Sequence, residues 1–117
     1  MPIVLIQYKN GRGLNKIAEK LAKELPALIA PRLSVPPDGL LTSDDIEVWC
    51  TEGSPADVNT KDLEIIVWAH DYPERKANLE ESKDVIVNGV RAFLADYDRN
   101  VTGFVWILLQ PTAFGRL

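Results

Sequence analysis

The chain opens Met1-Pro2, and methionine before a small residue is trimmed, which would leave proline as the mature N-terminus. The nitrogen would then be a secondary amine with no side-chain flexibility. A free α-amino group titrates at about 7.7–8.0, so such a nitrogen can give or take a proton near neutral pH. Many chains begin Met-Pro without using it, so the start alone assigns no role. Arg12 stands between two glycines in Gly11-Arg12-Gly13. Its planar fork suits a carboxylate held by two hydrogen bonds; the plain alternative is a solvated turn arginine. The stretch is no phosphate loop, lacking the length and the lysine-serine/threonine ending. His70 is the only histidine, followed by Asp71 and Tyr72. One histidine does not make a metal site, because zinc takes three or four protein ligands. Neither a metal nor a cofactor is therefore expected. Cys50, between Trp49 and Thr51, reads as a buried inert thiol.

The elements that would position these residues follow from periodicity. Ile3 to Tyr8 is a β-rich apolar run closed by the turn Asn10-Gly11-Arg12-Gly13. Leu14, Ile17, Leu21, Leu25 and Leu28 then fall at helical spacing, with charges mostly on the other faces. Pro26 is expected to end or kink this helix. Pro31 to Asp38, with three prolines, reads as an irregular connection. Leu41-Thr42-Ser43-Asp44-Asp45 leads into a second strand, Ile46 to Thr51, and a loop follows from Glu52 to Lys61. The order then repeats. Leu63 to Ala69 is a strand, and His70 to Glu74 a loop. Leu79, Ile86, Val90, Phe93 and Leu94 mark a helix face, on which Glu80-Glu81 and Lys83-Asp84 read as solvated. A polar turn at 96–100 precedes a fourth strand, Phe104 to Leu109. The sum is β-α-β-β-α-β in one domain over 1–117, with halves of about 1–52 and 62–110, which suggests internal duplication.

At 117 residues the chain suffices for one core. A net charge of −4 and a pI near 4.9 argue against nucleic acid as the main partner. No apolar run approaches the roughly 18 residues of a membrane helix, and the N-terminus lacks the pattern of a signal peptide. With a single cysteine, a reducing, cytoplasmic setting away from membranes is the expectation.

Leu63 to Ala69 and Phe104 to Leu109 are apolar at nearly every position. Strand side chains alternate between faces, so a continuous apolar run means that both faces are covered. Two helices cover one face of a four-stranded sheet; a second copy of the chain is the simplest cover for the other. Trp49, Trp68 and Trp106 fall in three different strands, as core, interface or pocket wall. Element order alone also admits a ferredoxin-like fold.

The residues then point to a family. Met1-Pro2-Ile3-Val4 opening a strand, Asn10-Gly11-Arg12 closing it, a helix, Leu41-Thr42-Ser43-Asp44-Asp45-Ile46-Glu47-Val48 and Thr51-Glu52 resemble the tautomerase superfamily, which includes 4-oxalocrotonate tautomerase and macrophage migration inhibitory factor. The two β-α-β units, and the ending Leu108-Leu109-Gln110-Pro111-Thr112-Ala113-Phe114, are similar to a branch of the longer, two-unit type. The resemblance implies an α/β (α+β) fold with a four-stranded mixed sheet and two helices on one face. It implies a homotrimer, and an isomerase that uses Pro2 for proton transfer on a small 2-oxo or enol acid. Arg12 matches an arginine that holds the substrate carboxylate. The pattern breaks at Glu47, where the short members place a second arginine. A carboxylate there repels a dianionic substrate and, if near Pro2, favours the charged amine, leaving open whether Pro2 is base or acid. Glu47 could also face solvent or pair across a subunit boundary. The competing reading is a non-catalytic module, of tautomerase-like or ferredoxin-like fold, that binds a small ligand or a protein.

Overall fold

Alternation of side chains along Ile3-Val4-Leu5-Ile6-Gln7-Tyr8 decides how the sheet sits. Val4 and Ile6 are fully buried on one side, while Ile3 and Gln7 emerge on the other. In the computed structural model, which describes residues 2–37, 39–97 and 100–117, this segment is strand β1 (Ile3–Tyr8). It is followed by α1 (Asn15–Leu33), a 3-10 turn (Ser43–Asp45), β2 (Glu47–Glu52), β3 (Leu63–His70), α2 (Pro73–Ala77), α3 (Leu79–Leu94) and β4 (Gly103–Gln110). Met1, Asp38 of the expected connection, and residues 98 and 99 of the expected polar turn lie outside the described residues.

The sheet order is β2-β1-β3-β4, with β1 parallel to β2, β1 antiparallel to β3, and β3 parallel to β4. Each parallel pair is joined through a helix, as parallel strands require. Leu63, Ile65, Val67 and Ala69 of β3 join Val4 and Ile6 in one core with Leu21, Leu25 and Ile29 of α1 and Ile86 and Val90 of α3. Where the two helices meet, a Cβ on Gly89 would stand 2.5 Å from Leu28 Cδ2, so glycine permits the close crossing.

Two expectations need correction. Pro26 does not end α1, and Pro31 to Leu33 belong to the helix rather than to a loop. A proline in a helix interior costs roughly 3 kcal/mol or more. The buried residues around the two prolines, Leu25, Ile29 and Leu33, each gain about 1.5–3 kcal/mol on full burial, which offsets that cost. Pro31 and Ala27, whose carbonyl loses its helical donor at Pro31, are both exposed, so water can serve that carbonyl. The expected loop from His70 to Glu74 is also shorter, because α2 starts at Pro73, a position that suits proline since its missing N–H has no helical acceptor there.

The centre of the sheet face away from the helices is apolar and aromatic, with Gln7, Thr51 and Glu64 toward one end and Glu47, His70 and Gln110 toward the other. Leu5 lies between Trp49 and Ile66, and Trp106 lies beyond Ile66. Ile3 lies between Glu47 and Trp68 on the same face. All three tryptophans therefore share this face, and Trp49 and Trp106 are 62% and 49% exposed. No helix among the described residues is long and apolar enough to cross a membrane.

Candidate active site at the Pro2 end of the sheet

Pro2 immediately precedes β1 and has the parity of Val4, so its ring is buried. Its carbonyl accepts the Glu47 N–H at 3.3 Å, which ties the start of the chain to the start of β2. The Thr42-to-Asp45 turn aims β2 at this point. Thr42 donates its N–H and its hydroxyl to Asp45 Oδ2, at 2.8 and 3.2 Å. Pro2 and Glu47 are thus brought together by register, with Ile3 opposite both Glu47 and Trp68.

Beside this corner lies a cavity of about 600 Å³, whose walls include Ile3, Glu47, Trp68, His70, Phe114 and Arg116. Among the described residues, its ionisable lining groups are Glu47, His70 and Arg116. Apolar walls with a few placed charges are the usual composition of a small-molecule site. A smaller cavity, about 250 Å³, sits at the opposite end between α3 and the starts of β3 and β4. Arg91 is its only ionisable lining residue among those described, so it offers no acid–base pair.

His70 ends β3 and holds the C-terminal segment. Its Nδ1 accepts the Thr112 N–H at 3.3 Å and lies 3.0 Å from the Thr112 hydroxyl. A ring nitrogen that accepts from an amide carries no proton, which assigns the neutral ring's proton to Nε2. The His70 carbonyl accepts from Tyr72 N at 3.1 Å and from Arg75 Nη1 at 3.0 Å. Arg75 also donates through Nε to the Leu33 carbonyl at 2.7 Å and stacks 4.8 Å from the Tyr72 ring centroid. It is only 6% exposed, and burial pushes its pKa down from the usual guanidinium value. A buried guanidinium therefore fastens the end of α1 to His70, a residue of the cavity wall.

Arg12 is elsewhere. It follows β1, whereas Pro2 precedes it, so the length of the strand separates the two. Arg12 Nη1 pairs with Asp62 Oδ1 at 3.2 Å. Asp62 is nearly buried, and its other oxygen accepts the Thr102 N–H and hydroxyl at 3.0 and 3.2 Å. This cluster joins the loop after β1 to the starts of β3 and β4. Cys50 is half-buried on the helix side of β2; burial chiefly, then Glu19, pushes its thiol pKa up, the character of an unreactive thiol. No group of three or more metal-ligating side chains occurs among the described residues.

The sequence reading missed Arg75, Thr112, Phe114 and Arg116 as parts of this corner. Arg75 stands between Glu74 and Lys76 and looks like surface charge. The tail carries no periodicity that would fold it back. No sequence signal marked them; it is the structural register of β3 and β4, which runs to His70 and Gln110, that delivers Thr112 to the His70 ring.

No family model matches this chain, and no curated protein matches it. Solved structures do. Native Ps01740 superposes with a TM-score of 0.60 at 13% identity, covering 93% of this chain and 94% of that one. Pt0534 inactivated by 2-oxo-3-pentynoate superposes at 0.60 and 14% identity, covering 93% and 85%. The Q0 fused 4-OT wild-type symmetric trimer superposes at 0.52 and 18% identity, with the same coverage, 93% and 85%. At such identities the likeness establishes the fold: two β-α-β units in a four-stranded mixed sheet flanked by helices, the tautomerase/MIF-like arrangement. The ferredoxin-like alternative for the fold is set aside.

Proposed function

We propose that this protein is a tautomerase-like isomerase in which Pro2, freed of Met1, transfers a proton on a small 2-oxo or enol acid. The observation that carries this reading is the bond from the Glu47 N–H to the Pro2 carbonyl, which ties Pro2 to a residue that lines the 600 Å³ cavity. The fold is one on which a similar protein, Pt0534, has been captured inactivated by 2-oxo-3-pentynoate, an acid of the proposed class. A neutral secondary amine removes a proton from the carbon next to a ketone. The electron pair moves to the carbonyl oxygen as the enolate, and the same proton returns to oxygen or carbon. In its protonated form the amine is instead an acid. Apolar surroundings favour the first state and Glu47 the second.

The oligomer belongs to this reading. The open face with Leu5, Trp49 and Trp106 suits burial against further copies of the chain, as a homotrimer. Arg12, beyond the far end of β1, serves as a carboxylate anchor only for the Pro2 of a neighbouring copy. A second reading, a non-catalytic binding module, draws on the burial of Pro2 and on the engagement of Arg12 with Asp62.

Two measurements separate them. Intact mass shows whether Met1 is removed; if it is retained, the Pro2 nitrogen is an amide with no basic lone pair, and the enzymatic reading falls. Enol-to-keto conversion of an arylpyruvate then tests the amine. Pro2→Ala should lower kcat/KM by roughly a hundredfold or more, the usual scale of acid–base catalysis. A wild-type protein inactive across a panel of such acids, or an unaffected variant, would refute it.

A further inference from the structure

We infer that the C-terminal segment supplies the anion-binding group of this cavity: Arg116 receives the carboxylate of a monoanionic ligand, and the His70–Thr112 contact positions it. The inference rests on reading the Pro2 corner as a ligand site. It starts from what the cavity contains. Of its ionisable lining residues, Arg116 is the permanent cation, since a guanidinium stays charged at any working pH. Glu47 on the same wall carries the opposite sign and acts as a selector. It leaves room for one carboxylate at Arg116 and opposes a second charge placed near β2. Arg12, the cation that the sequence points to, stands beyond the far end of the same strand, engaged with Asp62.

The segment has a reason to be where it is. Asp71 N–H donates to the Gln110 carbonyl at 3.1 Å, which carries the β3–β4 pairing to its last residue. Two residues on, Thr112 docks on the His70 ring through its N–H and its hydroxyl. His70 is itself held from behind, because its carbonyl takes hydrogen bonds from Tyr72 and Arg75. Phe114 is 76% exposed, yet it lines the cavity with Trp68 and Ile3, so a ligand with an apolar or aryl body would cover it. The segment thus brings an apolar wall and a carboxylate-binding cation together. His70 acts through Thr112 as a positioning residue.

The test uses equilibrium binding, which does not depend on turnover. The probe is 3-phenylpropanoate, with 3-phenylpropanamide as its neutral counterpart, titrated calorimetrically into the full-length protein. The carboxylate should bind more tightly than the amide. Arg116→Ala should weaken the carboxylate about tenfold or more, on the scale of one charge-assisted hydrogen-bonded contact, and leave the amide unchanged. Arg116→Lys should restore part of the loss. His70→Ala should weaken the carboxylate as well and speed hydrogen exchange at the Thr112 amide, a readout that direct charge loss would not move. Equal carboxylate affinity in wild type and Arg116→Ala overturns the inference, and so does a wild type that does not distinguish the two probes. Arg116-dependent carboxylate binding by a protein with no isomerase activity leaves the inference standing and removes the proposed reaction. Isomerase activity with binding indifferent to Arg116 does the reverse.

Discussion

Replacing Arg75 with methionine should destabilise the protein by about 2 kcal/mol, and the size follows from what the guanidinium holds. Nε bonds the Leu33 carbonyl at 2.7 Å in buried surroundings, and Nη1 bonds the His70 carbonyl at 3.0 Å. Leu33 is the last residue of α1, so its carbonyl has no helical donor and sits at the negative end of the helix. Methionine keeps the apolar stem but leaves that acceptor without Arg75, a loss of roughly 1–3 kcal/mol for a buried group. The His70 carbonyl still has Tyr72 N, so its loss is smaller. Against both stands relief from burying a charge, the same burial that pushes the Arg75 pKa down. The net, about 2 kcal/mol, corresponds to a fall in Tm of roughly 8 °C for a chain of this size. Thermal and urea unfolding at one fixed protein concentration measure it, since oligomer stability varies with concentration. Arg75→Lys should recover only part, because one ammonium cannot reproduce the planar fork to two carbonyls. An Arg75→Met variant within 0.5 kcal/mol of wild type, where ordinary surface substitutions fall, would show that this bridge contributes nothing and that the account of the wall behind His70 is wrong.

Two further outcomes follow from other parts of the fold. Trp106→Glu puts a charge on the open sheet face beside Glu64, whose Oε2 accepts from the indole at 2.9 Å in wild type; it should convert an oligomer to monomer in sizing with light scattering, and a wild type already monomeric at micromolar concentration would defeat the covering argument. The Cys50 thiol, with its pKa raised by burial and by Glu19, holds less thiolate at a given pH than in the unfolded chain. Alkylation followed by mass spectrometry near pH 8 should accordingly run slower folded than in urea, and equal rates would contradict that environment.

Much of the architecture was legible because it is written in local period. Ile3 to Tyr8 is a short β-rich apolar run, Leu14 to Leu28 recurs every three or four residues, and 63–69 and 104–109 are apolar at nearly every position. Those patterns specify strands, helices and a sheet face that two helices leave uncovered, without reference to anything distant; the tryptophans were readable only as core, interface or pocket wall, and strand register put all three on the open face. Pro26 misled because a local rule was outweighed by burial of Leu25, Ile29 and Leu33, a sum only the packed core reveals. The site divides in the same way. Pro2 could be marked from residue type and position and Glu47 from the family resemblance, and parallel pairing of β1 with β2 put them together. Arg12, equally conspicuous, was carried by the same strand to its other end and joined to Asp62. Arg75, Thr112 and Arg116 had no sequence signature, because their roles depend on hydrogen bonds and a cavity wall made by residues far away in the chain. The Met1-Pro2 start was visible from the first residue; that Pro2 is tied to Glu47 was decided by strand register, and the cavity that Glu47 lines by a folded-back tail, which are properties of the whole chain.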